Sequence, residues 1–340
     1  METKQIKVSD PNALQIAGQI LKQGGLVAIP TETVYGLAAD VWNETAVTKI
    51  FQAKGRPQDN PLIVHICDLV QLERLTRQIS STAKLLMKTF WPGSLTLIFP
   101  KSNEVPDVVS AGLDTVAVRF PSNPIAQEVI RAAGTPLAAP SANRSGRPSP
   151  TTAQHVWEDL NGRIDAVLDG GACEVGVEST VLDLTVCPPR LLRPGAVTYE
   201  QLQELLGQVE IDRAVCHPVE VGGEVSSPGM KYKHYAPKAR LVLLDGSYEQ
   251  YCAYVNAHSS PETAALCFSG EESGLQVQTV TYGSIQDDSG QARDLFDALR
   301  QLDGQNVSLI YARCPQPTGI GLAVYNRLIR AAGFEVISLA

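Results

Sequence analysis

Seven short strand-like runs and six helix-like runs share residues 1–207, and they do not keep a strict βαβ beat. The strand-like runs cover 26–29, 62–66, 95–99, 116–120, 166–168, 180–184 and 190–192. The helix-like runs cover 13–22, 45–54, 81–90, 125–133, 153–160 and 199–206. That mixture predicts an α/β fold with a twisted mixed sheet dressed by helices. Residues 208–238 break the pattern with glycine, serine and proline and read as a linker. Lys231, Tyr232, Lys233, His234 and Tyr235 make that linker too chemically loaded for a passive spacer. From 239 to 340 five strand-like runs are interleaved with helices, which predicts a small Rossmann-like α/β domain. A chain of 340 residues is long enough for both domains.

Composition removes several function classes. The net charge is −8, and residues 1–210 carry 18 Lys+Arg against 22 Asp+Glu, or −4. A permanent nucleic-acid binder carries a basic imprint that neither half shows. No apolar run is long enough to span a membrane, and the amino terminus lacks a signal-like apolar core. The seven cysteines include no CxxC, so reduced thiols in a cytoplasmic protein are expected. The five histidines show no HxH or HExxH spacing, so no protein-built metal cage is expected. Neither GxGxxG, GxxxxGK[ST] nor GxSxG occurs.

The cations gather instead in three polar loops. PSANRSGRPSP at 140–150 puts two arginines among serines and prolines, KGRPQDNP spans 54–61, and RPG spans 193–195. Arginines in loops that bury little apolar surface point to an anion, and three such loops suggest one site for a phosphorylated ligand. Each loop alone is also compatible with an ordinary solvated surface. PTETVYGL at 30–37 places hydroxyls at a strand's carboxyl end, where α/β sheets face ligands, though Thr31 or Thr33 could equally cap a helix. His65 lies inside the apolar LIVHI and reads first as a hydrogen-bonded core residue. Period two puts Thr115, Ala117 and Arg119 on one strand face, where the guanidinium needs an anionic partner from protein or ligand. GVESTVLDL at 176–184 brings Ser179 and Thr180 into a strand. Many hydroxyls and cations without a nucleophile–base pair favour positioning and electrostatic stabilisation of phosphoryl or nucleotidyl transfer.

Seven ordered motifs carry a resemblance: PTETVYGL, KGRPQDNPLIVHI, FWPGSLTLIF, VAVRFP, PLAAPSANRSGRPSPT, GVESTVLDL and LLRPG resemble the YrdC-like domain. SPGMKYKHYAP with the small domain after it resembles the two-domain members, the threonylcarbamoyl-AMP synthases. The resemblance implies synthesis of L-threonylcarbamoyladenylate and pyrophosphate from L-threonine, bicarbonate or CO2, and ATP with Mg2+. It implies a downstream threonylcarbamoyl transferase that modifies ANN-decoding tRNAs to N6-threonylcarbamoyladenosine, with tRNA itself contacted only indirectly or weakly. Carried over residue by residue, Thr33, His65, Arg119, Ala139 and Ser179 form the threonine end. Arg56, Asn60, Thr115, Ser141, Asn143, Ser149, Arg193, His234 and Tyr235 form the ATP end, with Lys54 and Arg56 as catalytic cations and the linker as a lid. The competing readings are a carbamoyltransferase-type YrdC protein, an RNA-binding module and a structural partner with a dead site. The hydrogenase-maturation carbamoyltransferases carry zinc-finger modules, for which this chain has no CxxC pairs.

Overall fold

The computed structural model describes residues 2–218 and 235–339, and the expectations for Lys231–Lys233 and His234 lie outside them. Eleven strands form the first sheet: β1 (Lys4–Lys7), β2 (Val27–Ile29), β3 (Gly36–Asp40), β4 (Ile63–His65), β5 (Leu95–Pro100), β6 (Thr115–Arg119), β7 (Leu137–Ala138), β8 (Ala166–Asp169), β9 (Thr180–Asp183), β10 (Arg190–Arg193) and β11 (Glu210–Ile211). Their spatial order is β1-β8-β2-β3-β7-β4-β6-β5-β9-β10-β11, with parallel and antiparallel neighbours mixed. The mixed α/β expectation therefore holds.

Two local readings change. The PTETVYGLAAD stretch does not start a helix; Gly36–Asp40 returns as a strand antiparallel to β2, Val27 facing Ala38. The first domain also runs past 207, because β11 adds to β10 with Leu191 opposite Ile211.

The pleat sorts the sheet into two faces. Leu37, Val64, Val118, Leu97, Leu182 and Leu191 point into the largest core, while Ile63, Ala117, Val181 and Leu192 point to the other side. His65 and Arg119 share that second face, two residues on from Ile63 and Ala117.

The second sheet is all parallel: β12 (Arg240–Asp245), β13 (Thr263–Cys267), β14 (Gln278–Thr281), β15 (Leu309–Arg313) and β16 (Val336–Ser338), in the order β14-β13-β15-β12-β16. The helix Tyr248–Ala257 buries Tyr251 and Val255 on one face. The helices Asp288–Asp303 and Gly321–Ala331 bury Leu295, Phe296, Val324 and Leu328 on the other. Helices on both faces of a parallel sheet give the expected Rossmann-like layering. The same two helices also face the first domain, whose Val34 and Val177 join their core.

Candidate functional site

A cavity opens on the second face of the large sheet. Eleven of the expected residues line it: Thr33, Arg56, His65, Arg119, Ala139, Ser141, Asn143, Ser149, Ser179, Arg193 and Tyr235. Arg147, Glu178 and Thr31 join them. Four guanidiniums (Arg56, Arg119, Arg147, Arg193) face one carboxylate, Glu178, on the described wall, with Glu32 and Asp159 meeting Arg119 and Arg147 from behind it. Arg56 and Arg193 leave the wall positive, which attracts an anion.

At one end, Arg119 donates through Nε to the Gly93 carbonyl at 3.2 Å and through Nη1 to Thr33 Oγ1 at 2.8 Å. Its Nη2 lies 2.6 Å from Glu32 Oε1. Thr31 donates to the Val34 carbonyl at 2.7 Å, so the 2.9 Å contact between the two threonines runs from Thr33 to Thr31. The Thr33 proton is thus spent, and its oxygen can only accept. Burial first, and Arg119 second, push His65 down to about 3. The ring is neutral, and with Nδ1–H donating to the Ile63 carbonyl at 3.2 Å, Nε2 keeps a lone pair. Ala139 gives its N–H to the Ile63 carbonyl at 2.9 Å, so any backbone contact it makes with a ligand uses its carbonyl. Burial raises the Glu32 carboxyl and Arg119 more than reverses this, so Glu32 stays ionised. Glu32 was not among the expected residues; an acid between the two threonines of PTETV beside a strand arginine was the available signal.

At the other end, the helix Glu44–Lys54 begins on Asn43, whose Oδ1 accepts from Ala46 N at 3.0 Å. It ends at Gly55, φ 62°, with Arg56 N on the Phe51 carbonyl at 2.9 Å, a Schellman closure only a residue tolerant of positive φ makes cheaply. That turn delivers Arg56, whose Nη2 donates to the Pro61 carbonyl at 3.3 Å while its Nε has no partner. Asn60 beside it is 1% exposed, and neither atom of its side-chain amide has a partner among the described residues. Buried polar groups without partners are rare unless a ligand supplies them.

Arg193 reaches the cavity through a β-bulge. Regular alternation would return it to the Leu191 face, but the register shifts after Leu191, and Arg193 stands opposite Val181. It donates through Nε to the Ser179 carbonyl at 3.0 Å and through Nη2 to Ser179 Oγ at 3.2 Å. Neither Arg56 nor Arg193 has a carboxylate at ion-pair distance among the described residues. Burial lowers Arg56 to about 10, which still leaves it charged at neutral pH.

Three expectations need correction or relocation. Lys54 does not line the cavity: its Nζ is buried and donates to the Ser141 carbonyl at 2.5 Å, the Asn143 carbonyl at 2.7 Å and Asn143 Oδ1 at 3.3 Å. Burial, with Arg56 second, pushes its pKa down, yet three oxygens around one nitrogen call for the three donors of an ammonium. Lys54 therefore holds the 141–147 loop from beneath. Thr115 also stays outside the cavity wall, half-buried at the start of β6 opposite Pro100. Asn143 lines the cavity, but its amide is consumed by the loop, accepting from Ser141 Oγ at 2.6 Å and donating to the Arg144 and Arg147 carbonyls at 3.0 and 2.8 Å.

The second domain braces the wall from behind. Asp159, at the end of the helix Ala153–Leu160, accepts from Arg147 Nη1 and from Arg300 Nη2, the latter at 2.9 Å. Arg300 also donates to the Pro148 carbonyl at 2.6 Å. Glu178 accepts from Ser149 Oγ and, at 2.8 Å, from Arg327 Nε. Tyr235 sits at φ 62°, stacks on Phe296 with centroids 5.3 Å apart, and lies 5.6 Å from the Arg327 guanidinium carbon. Positive φ is uncommon for a bulky residue, and the packing from both domains holds it there.

The family described as "Telomere recombination" matches residues 19–195, and the "Threonylcarbamoyl-AMP synthase, C-terminal domain" matches 197–333. The chain belongs to the two-domain threonylcarbamoyl-AMP synthase family. Members named threonylcarbamoyl-AMP synthase from Pyrococcus abyssi and Bacillus subtilis are 45% and 46% identical to it. The matches cover 96% of this chain and 96% of the first, and 98% and 97% for the second. The crystal structure of P. abyssi Sua5 complexed with L-threonine superposes with a TM-score of 0.90 at 42% identity, covering 99% of both chains. The family resemblance read from the seven motifs holds over both domains. Among the described residues no helix is long and apolar enough to cross a membrane.

Proposed function

We propose that this chain is an L-threonylcarbamoyladenylate synthase, a nucleotidyltransferase that joins L-threonine, bicarbonate or CO2, and ATP. The threonine amine attacks CO2 and, on losing a proton, becomes a carbamate. A carbamate oxygen then attacks the α-phosphorus, the bond to the β-phosphate oxygen breaks, and pyrophosphate leaves. The observation that carries the reading is one cavity with two differently built ends. Arg119, the neutral His65 and the acceptor-only Thr33 suit an amino acid's carboxylate, hydroxyl and amine. Arg56 and Arg193, charged and without acid partners, suit phosphates. Tyr235, stacked on Phe296 of the second domain, covers one side of the cavity, which suits a carbamate that is labile in water.

Mg2+ fits this site as the companion of ATP. Among the described residues no cluster of His, Cys, Asp or Glu could cage a metal, and Glu178 is engaged by Ser149 and Arg327. Phosphate oxygens would therefore hold the ion, whose chemistry is to neutralise charge on the leaving pyrophosphate. The adenylate then goes to a threonylcarbamoyl transferase that modifies tRNA. All seven thiols are free, in keeping with a reducing cytoplasm.

Pyrophosphate release is the test. It should need ATP, threonine, bicarbonate and Mg2+ together; release that ignores the omission of threonine would sink the reading.

A further inference from the structure

Glu178 is the one acid on the described wall of a cavity lined by four arginines. Its neighbour in sequence, Ser179, holds Arg193 through both carbonyl and hydroxyl. The backbones are in contact as well: a Cβ on Gly195 would fall 2.8 Å from the Glu178 carbonyl and 2.4 Å from Thr180 N. A carboxylate in that position would naturally pair with Arg193 and spend its charge. Among the described residues it forms no such pair, and its two oxygens are turned to other donors. Oε1 accepts from Ser149 Oγ, and Oε2 accepts from Arg327 Nε at 2.8 Å.

Arg327 comes from the helix Gly321–Ala331 of the second domain, and its side chain is 0% exposed. The rest of its fork is fixed too. Nη1 donates to the Pro194 carbonyl and to Asn326 Oδ1, both at 2.9 Å, and Nη2 to the Glu178 carbonyl at 3.3 Å. It thus grips the acid and the RPG turn that carries Arg193 at the same time.

We propose that Arg327 is a positioning residue of the second domain that holds the Glu178 carboxylate off Arg193, keeping Arg193 available to the phosphates of ATP. The inference rests on the reading of this end as the nucleotide end. Arg327 touches no reacting atom. Its contribution is to take up a charge that would otherwise compete with the ligand for the same guanidinium.

The test uses the full chain with Arg327→Gln, Glu178→Gln and the double variant. Glutamine at 178 can still accept from Ser149 but carries no charge. Calorimetry with MgATP alone gives an affinity independent of turnover, and pyrophosphate release gives KM for ATP and for threonine. Arg327→Gln should weaken ATP binding about tenfold, the size of effect a residue that touches no ligand carries, and raise the ATP KM with it, leaving the threonine KM within about twofold. Adding Glu178→Gln should recover most of that loss, since the competing charge is gone. Arg327→Lys should fall between wild type and Arg327→Gln.

A double variant as weak as Arg327→Gln, or weaker, would show that the arginine only glues the domains together, and the inference would be wrong. Equal ATP affinity in wild type and Arg327→Gln would overturn it directly. If Arg327→Gln is too unstable to assay, Glu178→Gln is compared with the double variant: equal ATP affinities support the inference, and a tenfold gap overturns it. Wild type that binds ATP but releases no threonine-dependent pyrophosphate would defeat the synthase reading instead, leaving these affinities to decide the role of Arg327.

Discussion

Arg119 and Glu32 form an ion pair whose two side chains are 4% and 6% exposed, with Nη2 2.6 Å from Oε1. Glu32 also carries an Oε2 that finds no partner. A fork held by Gly93, Thr33 and Glu32 is preorganised before any substrate arrives. Arg119→Ala strands a buried carboxylate and should cost about 3–5 kcal/mol of stability. Urea unfolding should show that loss, and Glu32→Gln in the same chain should restore at least about half of it. Threonine binding should be lost in both variants. If calorimetry found wild-type threonine affinity in the double variant, Arg119 would not be the carboxylate receptor.

His65 makes stability depend on acid. Its folded pKa is pushed down to about 3, against about 6.5 in an unfolded chain. Between those values the unfolded state takes up a proton that the folded state refuses. Stability is therefore lost as pH falls from about 6.5 toward 3, at up to about 1.4 kcal/mol per pH unit. His65→Asn should flatten the denaturation midpoint against pH in that window. An unchanged slope would mean that the imidazole is not held neutral.

Lys54→Met removes the donor shared by the Ser141 and Asn143 carbonyls. Each acceptor left unsatisfied costs about 1–3 kcal/mol, so the melting temperature should drop and the ATP KM should rise as the loop loosens. A variant with full stability and a collapse in kcat alone would return Lys54 to the chemistry.

Arg56→Ala should act on nucleotide and leave amino acid alone. A charged hydrogen bond contributes about 1.5–3 kcal/mol, or roughly 10- to 100-fold in ATP affinity. Loss of threonine affinity with ATP binding intact would reverse the assignment of the two ends.

Asp159→Asn should uncouple the domains. One carboxylate with a fully buried side chain serves both Arg147 and Arg300, and its removal leaves Arg300 without its acid at a cost of about 3–5 kcal/mol. Denaturant unfolding should then separate into two transitions; a single unshifted transition would show that the contact couples nothing.

Period two on TVAVRF was enough to put Arg119 on one strand face with Ala117, because a strand's faces are written into alternate residues, and it left open whether protein or ligand would meet the guanidinium. The loops 54–61 and 140–150 were legible because cations among glycine, proline and serine have few structural reasons to be there. Three things escaped. The β3 strand has alanines and glycine where strand formers are expected, and its pairing to β2 is long-range information. Arg193 gains its orientation from a bulge, which alternation cannot foresee. Arg300 and Arg327 sit on amphipathic helices of another domain, 141 and 149 residues from the acids they meet, and no local pattern reports such a pairing.

The Glu178–Arg327 contact also has a temporal side. Domains fold in order as they leave the ribosome, at about 5–20 residues per second, and Arg327 stands 13 residues from the end of a 340-residue chain. For on the order of ten seconds the first domain exists without its second. On the role proposed above for Arg327, Glu178 spends that interval without the guanidinium that draws it away from Arg193, and full nucleotide affinity is expected only once the helix Gly321–Ala331 has packed.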